Sequence, residues 1–291
     1  MKYPAIFYPG WLTETSKTYT HRIAKQTPNN SGVWGKLQAV ENAEDAAYAI
    51  CQDNIISIKR ALSDGFSKSQ IIYIKREADK NLPLLDSSHQ ILSYQGQYNL
   101  IPSVWWIDMS FNELLQMPPP KKCKSLSAIV SATRLLEGHK KRLNFLELMS
   151  NYRQIDFYGR GHVAGSFNNQ YKGALKKANK CKSEGLFNYE ASFAIENCSE
   201  DGYITEKFND CVLSWSIPIY YGAANASSYF PDCFVPIQSL DVNDKNHDLL
   251  DKLDKLCYND YIRNLAEARE RILLTYNLWA ISEKLIMQLA A

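Results

Sequence analysis

Residues 192–222 read SFAIENCSEDGYITEKFNDCVLSWSIPIYYG, and their pattern is the most informative in the chain about its fold. Its apolar beginning, Ser192–Ile195, predicts a buried strand, and the apolar run Ile217–Tyr221 predicts another. Between them a polar loop leads into Glu206–Trp215, which predicts a helix. Four apolar side chains recur there at helical spacing: Phe208, Cys211, Val212 and Trp215. A strand, loop, helix and strand in this order predict parallel strands of an α/β sheet.

The loop after the first of these strands carries the candidate chemistry. Ligands of open α/β sheets bind beyond the carboxyl ends of strands, facing helix N-termini. Six candidate residues fall at this point: Glu196, Asn197, Tyr203, Thr205, Glu206 and Lys207. Thr205 is suited to cap the helix, which would leave free backbone N–H groups and a positive dipole end for a diphosphate. The alternative is ordinary turn and helix composition that binds no ligand.

The alternation of strands and helices continues on both sides of this stretch. Upstream, Ser127–Ser131 and Ile155–Tyr158 predict strands, and Lys140–Met149 predicts a helix between them. Downstream, the apolar residues of the tail have helical spacing and predict one or two closing helices. The N-terminal part contains short apolar runs at Ala5–Tyr8, Ala46–Cys51, Ile71–Ile74 and Ile91–Tyr94, separated by polar stretches. Some of the intervening sequence, such as Ser57–Phe66, has a helical pattern.

Three consecutive prolines at positions 118–120 can continue neither a helix nor a central strand. They predict a connector between two domains, residues 1–120 and residues 121–291. A run of lysines after the second predicted strand of the C-terminal domain is interpreted as a solvated surface: Lys172, Lys176, Lys177, Lys180 and Lys182.

Composition excludes several functional classes. The 291 residues are 45% apolar and 22% charged with a net charge of +2, which is typical of a globular protein and argues against a nucleic-acid partner. The seven cysteines and five histidines lack metal-ligand spacing, so we expect no metal site and free thiols in a reducing compartment. No apolar run approaches the roughly 20 residues of a spanning helix.

The segment from Phe193, FAIENCSEDGYITEKFNDCVLSWSIPIYYG, resembles the donor-binding signature of glycosyltransferase family 10, the α-1,3/1,4-fucosyltransferases. The resemblance continues upstream in SAIVSATRLLEGHKKRLNFLELMSNYRQIDFYG and covers about residues 125–240 well. It implies an α/β fold of two Rossmann-like domains, the GT-B architecture, with C-terminal closing helices. It also implies an inverting transfer of fucose from GDP-fucose to a hydroxyl of a glycan acceptor.

The resemblance also implies roles for the donor-binding residues. Lys207 and Arg142 match positions that hold the donor phosphates, and Glu206 matches the position that bonds the ribose hydroxyls. Asn197 and Tyr203 match positions that line the diphosphate and the sugar. Lys141 competes with Arg142 for the phosphate role if the register slips by one residue.

Glu77 matches the position of the family's proposed general base. An acceptor hydroxyl needs a carboxylate within hydrogen-bond reach to take its proton. Because side chains alternate along a strand, Glu77 could face the site while Arg76 points away. The alternative for Glu77 is an ordinary exposed carboxylate.

The expected partners are therefore a GDP-sugar donor and an oligosaccharide or glycolipid acceptor, such as lipopolysaccharide or capsule glycan, with no cofactor besides the donor. We expect a cytoplasmic location, compatible with peripheral contact at the inner face of the membrane. Two alternatives remain, a transferase that uses another GDP-sugar and a catalytically silent glycan-binding homologue. A hydride-transferring Rossmann enzyme is disfavoured, because no GxGxxG follows the first strand of either half.

Overall fold

The computed structural model describes residues 2–78, 92–93, 101–176, 181–242 and 247–289. Its strands are β1 Tyr3–Tyr8, β2 Val33–Trp34, β3 Leu37–Ala39, β4 Tyr48–Gln52, β5 Ile71–Ile74, β6 Leu92–Ser93, β7 Lys124–Ile129, β8 Asp156–Tyr158, β9 Tyr171–Gly173, β10 Tyr189–Ile195, β11 Ile217–Tyr221 and β12 Val235–Pro236. Its α-helices are α1 Ser16–Ala24, α2 Ile55–Ser63, α3 Phe111–Gln116, α4 Glu137–Ser150, α5 Ser166–Asn169, α6 Glu206–Leu213, α7 Ala226–Tyr229, α8 His247–Asp254, α9 Tyr258–Glu270 and α10 Leu278–Leu289. Within these ranges no helix has the length and apolarity that a bilayer crossing requires.

The chain forms two compact α/β units, each built on a six-stranded sheet. The first unit comprises Met1–Val104, Met109–Gln116 and Leu273–Ala291, and the second comprises Trp105–Asp108 and Met117–Ile272. The chain therefore enters the main part of the second unit one residue before the three prolines, close to the predicted connector.

The C-terminal helix α10 belongs to the first unit, although the sequence analysis assigned the whole tail to the second domain. Trp279 of α10 explains this placement. Its indole N–H donates a hydrogen bond of 3.1 Å to the Ile23 carbonyl, and its ring lies 4.7 Å from the ring of Phe7. Trp279, Phe7 and Ile23 are all fully buried, so the last helix completes the core of the first unit.

The sheet of the first unit has the order β2-β3-β1-β4-β5-β6, in which β2 pairs antiparallel with β3 and the other pairs are parallel. The apolar runs at Ala5–Tyr8, Ala46–Cys51 and Ile71–Ile74 form strands β1, β4 and β5, with small shifts at their ends. Of the apolar run at Ile91–Tyr94, only Leu92 and Ser93 fall within the described residues, and they form β6.

The sheet of the second unit is entirely parallel, with the order β12-β11-β10-β7-β8-β9. Read from its other edge, this order is that of the doubly wound fold, and the winding reverses between β7 and β10. Strand β10 is central and almost wholly buried, because strands pair with it on both sides. The strands and helices predicted for residues 127–221 are confirmed. The fold thus directs a ligand to the carboxyl ends of β7 and β10.

Candidate functional site

A cavity of about 310 Å³ lies at this reversal point of the second sheet. Ile129, Val130 and Ser131 line it where β7 ends, and Ile195 lines it where β10 ends. Four cations and two carboxylates also face it: Arg142, Arg160, Lys182, Lys207, Glu206 and Asp210. The volume is within the range of small-molecule sites. The excess of cations favours an anionic ligand.

Glu196 anchors the polar loop at the start of α6. Its carboxylate is fully buried and accepts hydrogen bonds of 2.8 Å from the backbone N–H and the hydroxyl of Thr205. Its other oxygen accepts a hydrogen bond of 2.9 Å from Lys207 Nζ. Thr205 in turn caps α6 by accepting the backbone N–H of Lys207, as the sequence predicted. Glu196 therefore holds Lys207 at the N-terminus of the helix.

Lys207 lies between two carboxylates, those of Glu196 and Glu206. Burial raises the pKa of Glu196, and the ammonium of Lys207 acts against that effect. Burial by itself would lower the pKa of Lys207, but the charges of Glu196 and Glu206 outweigh it and the pKa is raised. Lys207 Nζ also lies 3.4 Å from Glu206 Oε1. The lysine thus stays protonated and is presented to the cavity next to the positive end of the helix dipole.

Arg142 supplies a second cation from α4. Its Nη1 donates to the Ile195 carbonyl at 3.3 Å and to Asn197 Oδ1 at 3.1 Å, and the residue is only 8% exposed. Its Nε is buried and has no hydrogen-bond partner in the described part of the chain. Burial lowers the pKa of the guanidinium, against the charges of Glu196 and Glu206. A buried donor without a partner is costly, so Arg142 is suited to an anionic ligand.

The close approach of α4 to the polar loop depends on Gly138. A Cβ at this position would overlap the carbonyl oxygen of Asn197. The structure also decides the register that the sequence left open, because Arg142 is buried in the cavity wall whereas Lys141 is exposed. Arg142 is therefore the cation that the helix directs toward the site.

The remaining predicted residues have different surroundings. Tyr203 is buried, with 1% exposure, and its carbonyl accepts a hydrogen bond from the Tyr220 hydroxyl. Glu77 is half-buried and follows the end of β5 in the first unit. The neighbouring Arg76 is buried and donates a hydrogen bond of 3.0 Å to Gln52 Oε1, so it turns inward.

Sequence analysis missed three cavity residues: Arg160, Lys182 and Asp210. Lys182 was interpreted as part of a solvated lysine run, and this was wrong, because its ammonium pairs with the buried Asp210 carboxylate at 2.6 Å. Of the same run, Lys177 and Lys180 lie outside the described residues. The helical spacing of Glu206 and Asp210 was the available signal, since residues four apart share one face of a helix.

The described residues contain neither a cluster of metal ligands nor a disulfide bond. In the ranges that the structure covers, no group of three or more His, Cys, Asp or Glu side chains is arranged to hold a metal ion. All seven cysteines are within those ranges and are free thiols. The ionic groups that face the cavity are therefore its cations and the two carboxylates described above.

Comparison with known proteins identifies a family. The model of the C-terminal part of glycosyltransferase family 10 (fucosyltransferase) matches residues 119–271. A fucosyltransferase-like protein of Arabidopsis thaliana is 33% identical over 103 residues, which are 34% of this chain and 18% of that protein. The chain thus matches less than a fifth of this curated relative's length.

One solved structure has the same fold class. An E. coli structure described as trehalose-6-phosphate bound with UDP-2-fluoro glucose has a TM-score of 0.51 and 11% identity, over 85% of this chain and 75% of the other. A crystal structure of an α1,3-fucosyltransferase has a TM-score of 0.42 and 15% identity, over 99% of this chain and 91% of the other. The two α/β units, whose sheets are mostly or entirely parallel, and the first of these similarities agree with the predicted GT-B class.

Proposed function

Because the chain belongs to glycosyltransferase family 10, the fucosyltransferases, we propose that it transfers fucose from GDP-fucose to a hydroxyl of a glycan acceptor, with inversion. One observation supports this proposal most directly. The cavity at the reversal point of the second sheet combines the buried Arg142 and the half-buried Lys207 with the N-terminus of α6, and this combination suits a nucleoside diphosphate.

In the proposed reaction, the acceptor oxygen forms a bond to the anomeric carbon of fucose while the bond from that carbon to the β-phosphate oxygen breaks. The hydroxyl proton passes to the general base, for which we propose Glu77. Negative charge grows on the leaving diphosphate, and fixed cations at that position stabilise the transition state. Arg142 and Lys207 are suited to this task, because the structure holds both in the cavity wall.

The proposed donor site assigns separate tasks to the loop residues. Lys207 and Arg142 bind phosphate oxygens, and Glu206 at the first position of α6 accepts from the ribose hydroxyls. Asn197 orients Arg142 through its side-chain oxygen. Glu196 and Thr205 position Lys207, because their polar atoms are already engaged with that lysine and with each other.

We expect Lys207→Ala to weaken GDP binding by about 10- to 150-fold, since a charge-assisted hydrogen bond contributes roughly 1.5–3 kcal/mol. Calorimetric titration with GDP measures the change. The matched control is Lys141→Ala, which removes an exposed cation one residue before Arg142 and should leave the affinity unchanged. If a folded Lys207→Ala protein bound GDP as tightly as the wild type, Lys207 would not be a phosphate contact.

We propose that the transfer needs no divalent metal, because Arg142 and Lys207 can supply the stabilisation that a metal otherwise gives to a leaving diphosphate. Treatment with EDTA is then expected to leave most of the fucosyl transfer in place, measured as GDP release with acceptor present. Complete loss that magnesium or manganese restores would show a metal requirement and contradict the proposal.

A further inference from the structure

Lys182 and Asp210 form a buried ion pair in the wall of the cavity. Lys182 Nζ lies 2.6 Å from Asp210 Oδ2, and the two side chains are 19% and 2% exposed. Asp210 Oδ1 accepts the backbone N–H of Trp106 at 2.8 Å, which fixes the carboxylate. In the part of the chain that is described, Asp210 is the one hydrogen-bond partner of the Lys182 ammonium. An ammonium has three donors, so two of them remain for a ligand.

The position of this pair along α6 indicates which part of a nucleotide it would meet. Phosphates belong at the N-terminus of the helix, where Thr205 caps it and Lys207 points into the cavity. Glu206, at the first helical position, is the proposed ribose contact. Asp210 follows four residues later, on the same face and just over one turn, or roughly 6 Å, further along the helix. In a nucleoside diphosphate, the group that lies beyond the ribose is the base.

The cavity also offers the apolar surface that a planar base requires. Ile129, Leu186 and Phe193 line it together with the ion pair. Ligand sites of this kind combine apolar walls with a few fixed polar groups that set orientation and specificity.

We propose that Lys182 and Asp210 bind the hydrogen-bonding edge of the donor's guanine: Asp210 accepts from N1–H and the 2-amino group, and Lys182 donates to O6. The proposal rests on the proposed function, since it assumes a GDP-sugar donor. The two residues would then determine nucleotide specificity, whereas Arg142 and Lys207 supply affinity that is common to all nucleoside diphosphates.

The wild-type protein is tested first, by calorimetric titration with GDP, inosine diphosphate and xanthosine diphosphate. Inosine diphosphate lacks the 2-amino group, and xanthosine diphosphate carries a carbonyl oxygen in its place, which would face the carboxylate. A bidentate contact to a base edge contributes about 1–3 kcal/mol of discrimination. We therefore expect GDP to bind best and xanthosine diphosphate to bind at least about tenfold more weakly. Equal affinities for the three would overturn the proposal without any variant.

The variant Asp210→Asn distinguishes recognition of the base by Asp210 from a purely structural role of the ion pair. An amide accepts from N1–H and donates to the xanthine oxygen, so the ratio of GDP affinity to xanthosine diphosphate affinity should fall by at least about tenfold. The control Asp260→Asn changes an exposed carboxylate of α9 and should keep the wild-type ratio. Lys182→Met should weaken both nucleotides to a similar extent, because both bases carry O6.

The outcomes distinguish the two proposals. If the wild type binds no nucleoside diphosphate, the proposed function fails, and the assignment of Lys182 and Asp210 fails with it. If the wild type binds GDP but a folded Asp210→Asn protein keeps the wild-type ratio of GDP affinity to xanthosine diphosphate affinity, only the proposed contact of Asp210 with the base is overturned. Unchanged GDP affinity in Lys182→Met would likewise contradict the contact to O6.

Discussion

Replacement of Glu77 by glutamine is expected to lower turnover by at least about 100-fold while GDP affinity stays nearly unchanged. Glutamine keeps the shape of the side chain and removes the proton acceptor. General-base catalysis contributes about 10²–10⁴-fold in rate, or roughly 3–5 kcal/mol of the barrier. Glu77 belongs to the first unit and the cavity proposed for the nucleotide belongs to the second, so the substitution should lower turnover without weakening GDP binding.

The measurement is steady-state turnover, with GDP affinity and a thermal melt on the same preparation. Glu44→Gln, which changes an exposed carboxylate of the first unit, is the matched control and should behave as the wild type. A structural carboxylate at position 77 would instead lower the melting temperature, and activity would follow the folded fraction. If a well-folded Glu77→Gln enzyme kept a turnover within roughly tenfold of the wild type, Glu77 would not be the general base.

Glu196→Ala is expected to destabilise the second unit and to leave the Lys207 side chain without the carboxylate that fixes its position. The substitution removes a fully buried carboxylate that pairs with Lys207 and accepts the backbone N–H of Thr205. Breaking a buried pair by removing one partner costs about 3–5 kcal/mol. At roughly 2–4 °C per kcal/mol, the melting temperature should fall by at least about 6 °C. GDP affinity should fall as well, because the lysine loses the group that orients it.

Two comparisons make this test specific. Glu196→Gln keeps an oxygen that accepts from the Thr205 backbone N–H, but it replaces the oxygen that accepts from Lys207 with a donor amide group. Its melting temperature should therefore lie between those of the alanine variant and the wild type. Glu270→Ala removes an exposed carboxylate at the end of α9 and should change stability by no more than about 0.5 kcal/mol. An unchanged melt of Glu196→Ala would contradict the anchoring role of this carboxylate.

Several features of the site could be predicted from sequence because they depend on neighbours in the chain. Thr205 was recognised as a cap, since a cap bonds the backbone two or three residues ahead. The strand β10 and the helix α6 were recognised from short runs and from helical spacing, which repeat over a few residues. The placement of a ligand site after β10 followed from a general property of parallel sheets.

Other features depend on partners that are distant in the chain, and sequence reasoning did not reach them. Lys182 was taken for a solvated lysine, because its partner Asp210 lies 28 residues away on a separate helix. The choice between Arg142 and Lys141 depended on the rotation of α4 against the sheet, which a difference of one residue changes by about 100°.

The amino-acid sequence was sufficient to predict the class of the fold, its alternating elements, the polar loop before α6 and the family that this loop indicates. Which side chains of the site are available to a ligand depends on tertiary contacts: Glu196 is occupied by its hydrogen bond from Lys207, and Asp210 is buried beside Lys182. It also placed α10 with the first unit, through the contact of Trp279 with Phe7. The physical reason is that capping and periodicity act over one or two turns, whereas the burial of a charge or a tryptophan is fixed by whichever distant residues the packed core brings to it.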